Sequence, residues 1–135
     1  MANVSFEAIR LAIESRMAQW DGVPVAYDGV PNSPALEQAM AAKSSWVRLT
    51  IQHGASFTAG IGSEPCVRRS GLVMLQIFTP INSGSRPAAM LADSLAAHFE
   101  YYQAGHFSTQ AASVQRIGPQ DDWYLYVVSV PFRAG

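Results

Sequence analysis

"FTAGIGSEPCVRRSGLVMLQIFTP", residues Phe57 to Pro80, holds Gly60-Ile61-Gly62, the single cysteine and the adjacent pair Arg68-Arg69 before a largely apolar run. Such glycines can cradle a phosphate only where a helix N-terminus stands behind them, because the aligned peptide dipoles supply the positive end that the anion meets. Here Leu72-Val73-Met74-Leu75-Gln76-Ile77-Phe78-Thr79 follows, β-branched and aromatic-rich, of strand length and closed by Pro80. No G-x-x-x-x-G-K-[ST] pattern is present. The glycines therefore read as a bend between two strands, not as a nucleotide loop.

Upstream, Val47, Leu49 and Ile51 alternate with Trp46, Arg48 and Thr50, the period of a half-buried strand over Trp46–Gln52. With Arg68–Thr79 it predicts a long antiparallel hairpin with a glycine-rich, protruding tip. Phe6, Ile9, Ile13, Met17 and Trp20 recur at helical spacing, with Glu7, Arg10 and Glu14 on the other face. Asn3 or Ser5 can cap this helix, and Asp21-Gly22 ends it. Val25–Tyr27 reads as a short strand, and Asp28 to Pro34 as a loop. Residues Ala35 to Lys43 are either a short helix or an ordered excursion.

A second helix starts at Ser85 or Arg86, with Pro87 in its first turn. Met90, Leu91, Leu95, Ala97, His98, Phe99 and Tyr102 form its apolar stripe, and Gly105 marks its end. His106 to Ile117 reads as a polar strand or strand pair, Gly118 to Asp122 as a turn, and Trp123 to Phe132 as a final strand apolar on both faces. The expected fold is α+β: an antiparallel sheet with two main helices on one face, in the order α-β-β-β-α-β-β, as a single domain over residues 1–135.

At 135 residues and 49% hydrophobic content the chain can bury a sizeable core. Charged residues make up 14%, below the roughly 25% of an ordinary soluble domain, which leaves neutral surface for contact. A net charge of −1 gives no general attraction to nucleic acid or to an anionic membrane. No signal peptide or spanning segment is read, so the expectation is a soluble protein made in the cytosol.

Catalytic signatures are weak. His53, His98 and His106 lack ligand spacing, so no metal is expected. Asp121-Asp122 fits a turn better than a cation site or an acid/base pair. Cys66 lacks a local base, and no G-x-S-x-G elbow occurs. A sheet apolar on both faces, a protruding arm and a charge-poor surface describe an assembly subunit instead.

The stretches "FEAIRLAIESRMAQW", "VAYDGVPNSP", "GLVMLQIFTPINSGSRPAAMLADSLAAHF" and "WYLYVVSVPFRA" together resemble the tail terminator proteins of long-tailed bacteriophages and prophages. The resemblance spans nearly the whole chain and rests on pattern and order, without an invariant motif. It implies a non-enzymatic virion protein without cofactors, assembled in the host cytoplasm. Its expected form is a homo-hexameric ring that caps the tail tube, ends polymerisation and offers the head-docking surface. The resemblance also makes Gly54 to Gly71 an arm that projects from the sheet. The implied partners are other copies of the chain, the tail tube protein and the head-tail connector or neck protein. DNA would only pass through the lumen, with no sequence-specific binding, and no membrane is involved.

Our own choice of contact residues for the ring and tube interface is Arg48, Phe57, Ile61, Arg68, Arg69, Tyr124 and Tyr126. A neck protein or tube subunit shares this architecture class. From a different class, a ligand-binding domain or enzyme would use a pocket between helices and sheet, with Cys66 or His98 as the reactive group.

Overall fold

Ser5 opens the first helix: its hydroxyl accepts from the Ala8 amide at 3.0 Å, supplying one of the bonds that a helix start lacks. In the computed structural model, which describes residues 4–58 and 67–135, this helix is α1, Phe6–Ala18. Ile9, Ile13 and Met17 are buried on its inner face, whereas Phe6 is half exposed and Trp20 lies beyond its end. The apolar stripe read from the sequence is therefore shorter at both ends. Asn3 lies outside the described residues.

The next elements are β1 (Val25–Tyr27), α2 (Pro34–Ala41), β2 (Trp46–His53), β3 (Phe57–Thr58) and β4 (Val67–Pro80). Then come α3 (Arg86–Phe99), β5 (Gln103–Ala104), β6 (Phe107–Thr109), β7 (Ser113–Gln120) and β8 (Trp123–Ala134). The α+β class holds, but the detailed order differs from the expected one. The segment left open at Ala35–Lys43 is a helix, capped by Ser33, whose hydroxyl accepts from the Leu36 amide at 3.2 Å.

The sheet runs β1-β2-β4-β8-β6-β5, with β3 also on β4 and β7 also on β8. It is mixed, not purely antiparallel: β1 pairs parallel to β2, with Val25 opposite Val47. That pairing is possible because α2 lies between the two strands in sequence and serves as the crossover that a parallel pair needs. The predicted hairpin is present in its described part. β2 pairs with β4 from Trp46↔Phe78 to His53↔Gly71, and β3 continues the ladder at Phe57↔Arg68. Residues 59–66 of the expected arm lie outside the described residues.

One face of the sheet carries Val47, Leu49, Val73, Leu75, Ile77, Val128, Val130 and Phe132, all buried with the inner residues of α1 and α3. Helix α3 approaches through Ala88, Ala92, Leu95 and Phe99. Met90 and Ala97, placed in the stripe from the sequence, are exposed. The small alanines allow close contact with the strands, so the packed face is offset from the one that the largest side chains suggest. The opposite face is covered at one end, where Leu36 of α2 packs with Ala26, Trp46, Phe78 and Leu125. Helices thus stand on both faces, α1 and α3 on one and α2 on the other.

Two boundaries move. Helix α3 ends at Phe99, well before Gly105, because Thr109 completes its last turn: the Thr109 hydroxyl donates to the Phe99 carbonyl and accepts from the Tyr102 amide at 2.8 Å. The expected turn at Gly118–Asp122 contracts to Asp121-Asp122, with Asp121 at φ 54°, and β7 runs through Gly118 with a register shift there.

Candidate functional site

The expected contact residues fall in three places. Phe57 is exposed on β3 directly opposite Arg68, so these two belong to one surface. Ile61 and Cys66 lie outside the described residues. Arg69, next along β4, points away from Arg68 and is engaged within the chain. Its guanidinium lies 4.2 Å from the Phe6 ring, donates from Nε to the Val4 carbonyl at 3.0 Å, and reaches the Ser56 hydroxyl at 3.2 Å.

Arg48 stands elsewhere, on the face away from α1 and α3. It lies over the Trp46 and Phe78 rings, 5.3 Å and 5.5 Å from their centroids. Those rings stack on each other at 4.0 Å, with Trp123 edge-on to both. Beside them opens a cavity of about 250 Å³ lined by Arg48, Gln76, Gln120 and Asp121. The rest of this face, including Thr50, Met74, Gln76 and Ser129, is half exposed and mixed in polarity. The final strand is thus apolar on both sides, as its sequence indicates, but α2 covers only one end of its second face.

Tyr124 and Tyr126 lie on the other face, their rings 5.6 Å apart. The Tyr124 hydroxyl accepts from Arg116 Nε at 3.0 Å, so these tyrosines face β7. The hydrogen bond with Tyr124, followed by burial and the Tyr124 charge, raises the Tyr126 pKa, while Arg116 opposes the shift.

A groove that the sequence did not announce lies between α1 and the outer edge of β2. It encloses about 380 Å³, floored by Leu49 and Ile51 and walled by Phe6, Glu7, Arg10, Glu14, Asp28 and His53. Arg10 bonds Glu7 through Nε at 2.8 Å and reaches Glu14 at 3.3 Å. The Arg10 hydrogen bond holds Glu7 below the usual carboxylate range, and the two carboxylates raise Arg10. With Asp28 also on its wall, the groove carries three carboxylates and one arginine and is acidic. The spacing of Glu7, Arg10 and Glu14 was legible as a helix surface, but their position against a strand edge needed the fold.

The catalytic alternative gains nothing from His98. Its Nε2 lies 2.6 Å from the Arg16 carbonyl, and its own carbonyl accepts twice from Arg16, so it joins two helix ends. Among the described residues no group of histidine, cysteine, aspartate or glutamate is placed to hold a metal, and no helix is long and apolar enough to cross a membrane. Apart from the groove at the α1–β2 edge, buried side chains pack the interface between the sheet and α1 and α3.

Among the solved structures that match, one has a TM-score of 0.69 at 22% identity, covering 97% of this chain and 96% of that one, which speaks to the fold alone. No curated protein matches. The family model for the phage tail terminator protein matches residues 8–132, from the first turn of α1 almost to the end of β8. By that match, which takes in both helices of the main face and the central strands β2, β4 and β8, the chain belongs to the phage tail terminator protein family.

Proposed function

We propose that this chain acts as one domain that closes, with five further copies, into a ring on the end of the phage tail tube. The ring stops tube growth and offers the surface to which the head or its connector docks. Membership of a structural tail protein family makes the chain a virion component with a role in tail assembly, and the match over residues 8–132 is the observation that carries the reading. Assembly takes place in the host cytoplasm, and DNA only passes through the lumen.

The surface supports such a role. Phe57 and Arg68 present an exposed apolar and cationic pair beside the segment that contains Ile61. Arg48 offers a cation on the sheet face that α1 and α3 leave open. Charged contacts of this kind give orientation more than affinity. Tyr124 and Tyr126 contribute from the β7 side, and Arg69 steadies the base of the Phe57–Arg68 surface through Val4 and Ser56. A net charge of −1 suits a conduit that should not hold its cargo. The match to a structural protein family supports this non-enzymatic reading over a ligand binder or enzyme.

The test is solution mass and negative-stain imaging over a concentration series, alone and with purified tail tubes. Closed rings or caps at one tube end are expected. Long filaments would indicate a tube subunit, and a monomer indifferent to tubes would overturn the reading.

A further inference from the structure

The sheet has two open edges whose chemistry matches. On one side β1 covers β2 only from Val47 to Leu49. Backbone N–H groups alternate between the two sides of a strand. The Val47 amide donates to Pro24 on the β1 side and the Gly54 amide to Ser70 on the β4 side, so those of Ile51 and His53 turn outward past the end of β1. No strand among the described residues pairs there. This edge borders the acidic groove floored by Leu49 and Ile51.

On the other side β7 is bonded only to β8 among the described residues, and all its residues but Gly118 are exposed. Val114 and Arg116 stand opposite Val128 and Tyr126, which places them on the face that carries α1 and α3. Val114 is 49% exposed and Arg116 is a cation. An open strand with an exposed apolar side chain is a ready template for pairing with another chain.

We propose that β7 of one copy adds to the outer edge of β2 of the next, so that the sheet continues from subunit to subunit. The strand directions allow it: β2 is antiparallel to β4, β4 to β8 and β8 to β7, so β7 meets β2 in antiparallel sense when copies follow one another by rotation. The faces agree too. In a continuous sheet Val114 comes onto the face of Ile51, past the end of β1, and Arg116 reaches the wall of Glu7, Glu14 and Asp28. Main-chain bonds supply affinity, and the cation in the acidic groove sets the register. The contact is head-to-tail and so rests on the ring reading above.

Disulfide trapping tests it in a Cys66→Ser background. Ile51→Cys is combined with Val114→Cys, and separately with Arg116→Cys to sample the adjacent register. Within one chain the two positions stand three strand spacings apart, about 14 Å, too far for a bridge. Oxidation of the assembled protein should give a ladder of covalent multimers from one of the two pairs, and none from single-cysteine variants. Arg116→Glu should raise the concentration needed for assembly about tenfold, and Asp28→Lys in the same chain should restore it. Assemblies of uniform mass that give no ladder and ignore Arg116→Glu would overturn this interface while leaving the ring intact. A chain monomeric with and without tubes would overturn both.

Discussion

Arg16 and His98 hold each other's main chain. The Arg16 guanidinium donates to the His98 carbonyl at 2.9 Å and 2.7 Å, and His98 Nε2 lies 2.6 Å from the Arg16 carbonyl. A carbonyl only accepts, so Nε2 carries the proton in this pairing. Both carbonyls belong to last helical turns, where the regular i→i−4 partners run out. Arg16 also lies 4.3 Å from the centre of the Tyr102 ring. One side chain therefore fixes the end of α1 to the end of α3 and to the strand region that follows.

Removing that tie should be costly without altering the fold. Arg16→Met keeps the stem and loses two charge-assisted bonds, and the expected loss is about 1–3 kcal/mol. Arg16→Lys should recover only part of it, because an ammonium cannot make the same paired donation. Urea unfolding followed by circular dichroism reads both effects, and an unchanged midpoint for Arg16→Met would show the pair to be idle.

Gly71 occupies a place where the sheet has no room for a side chain. A Cβ there would come within 2.3 Å of the Gln52 carbonyl oxygen and 2.6 Å of the Phe132 ring. In register Gly71 sits between His53 and Phe132, whose rings approach edge-on at 6.3 Å. Gly71→Ala should destabilise by more than about 2 kcal/mol, since both obstacles belong to the core ladder. Thermal unfolding of the purified variant measures it, and a melting temperature equal to that of the parent would contradict the packing described.

Much of this arrangement is legible in residue order, and the rest is not for identifiable reasons. The alternation in Trp46–Gln52 and the run after Gly71 identify the central strands, because burial on a pleated face leaves a period of two. Helix α3 was offset because Ala88 and Ala92 pack closest while Met90 faces out, and hydrophobicity ranks them the other way. The parallel β1–β2 pair escaped notice because three residues carry too little pattern to show a partner. In the site, Phe57 was chosen from the sequence as a contact residue, and the structure leaves it exposed on β3. The groove was not legible, since Glu7, Asp28 and Ile51 lie far apart in sequence and meet only through α1 and β2.

Thr109 is a buried polar residue with a specific task. Its hydroxyl bridges the Phe99 carbonyl and the Tyr102 amide, while its own amide donates to the Tyr102 carbonyl at 2.8 Å. Thr109→Val keeps the shape and leaves both partners unsatisfied, at an expected cost of about 1–3 kcal/mol. Thr109→Ser retains the hydroxyl and should lose less. Hydrogen exchange at the Tyr102 amide offers a local reading: protection should fall in the valine variant and persist in the serine one.

Two of the five tyrosines should respond differently to alkali. Tyr126 is raised above the ordinary phenol value of 10.0, first by its hydrogen bond with Tyr124, and Tyr27 is raised mainly by burial, then by Glu14. The folded chain therefore keeps protons on these phenols at pH values where the unfolded chain has released them. Their contribution to stability is complete below pH 10 and is lost as the pH rises through the folded values. In an ultraviolet titration the portions of the phenolate absorbance due to these two residues should appear above pH 10. Tyr124→Phe removes the partner of Tyr126 and should move that portion to lower pH, leaving the Tyr27 portion in place. The same variant deprives Arg116 on β7 of its hydroxyl partner on β8. If Tyr124 holds Arg116 ready for a neighbouring copy, the variant should also assemble less readily at neutral pH. A shifted titration with unchanged assembly would limit the role of Tyr124 to the phenol pair.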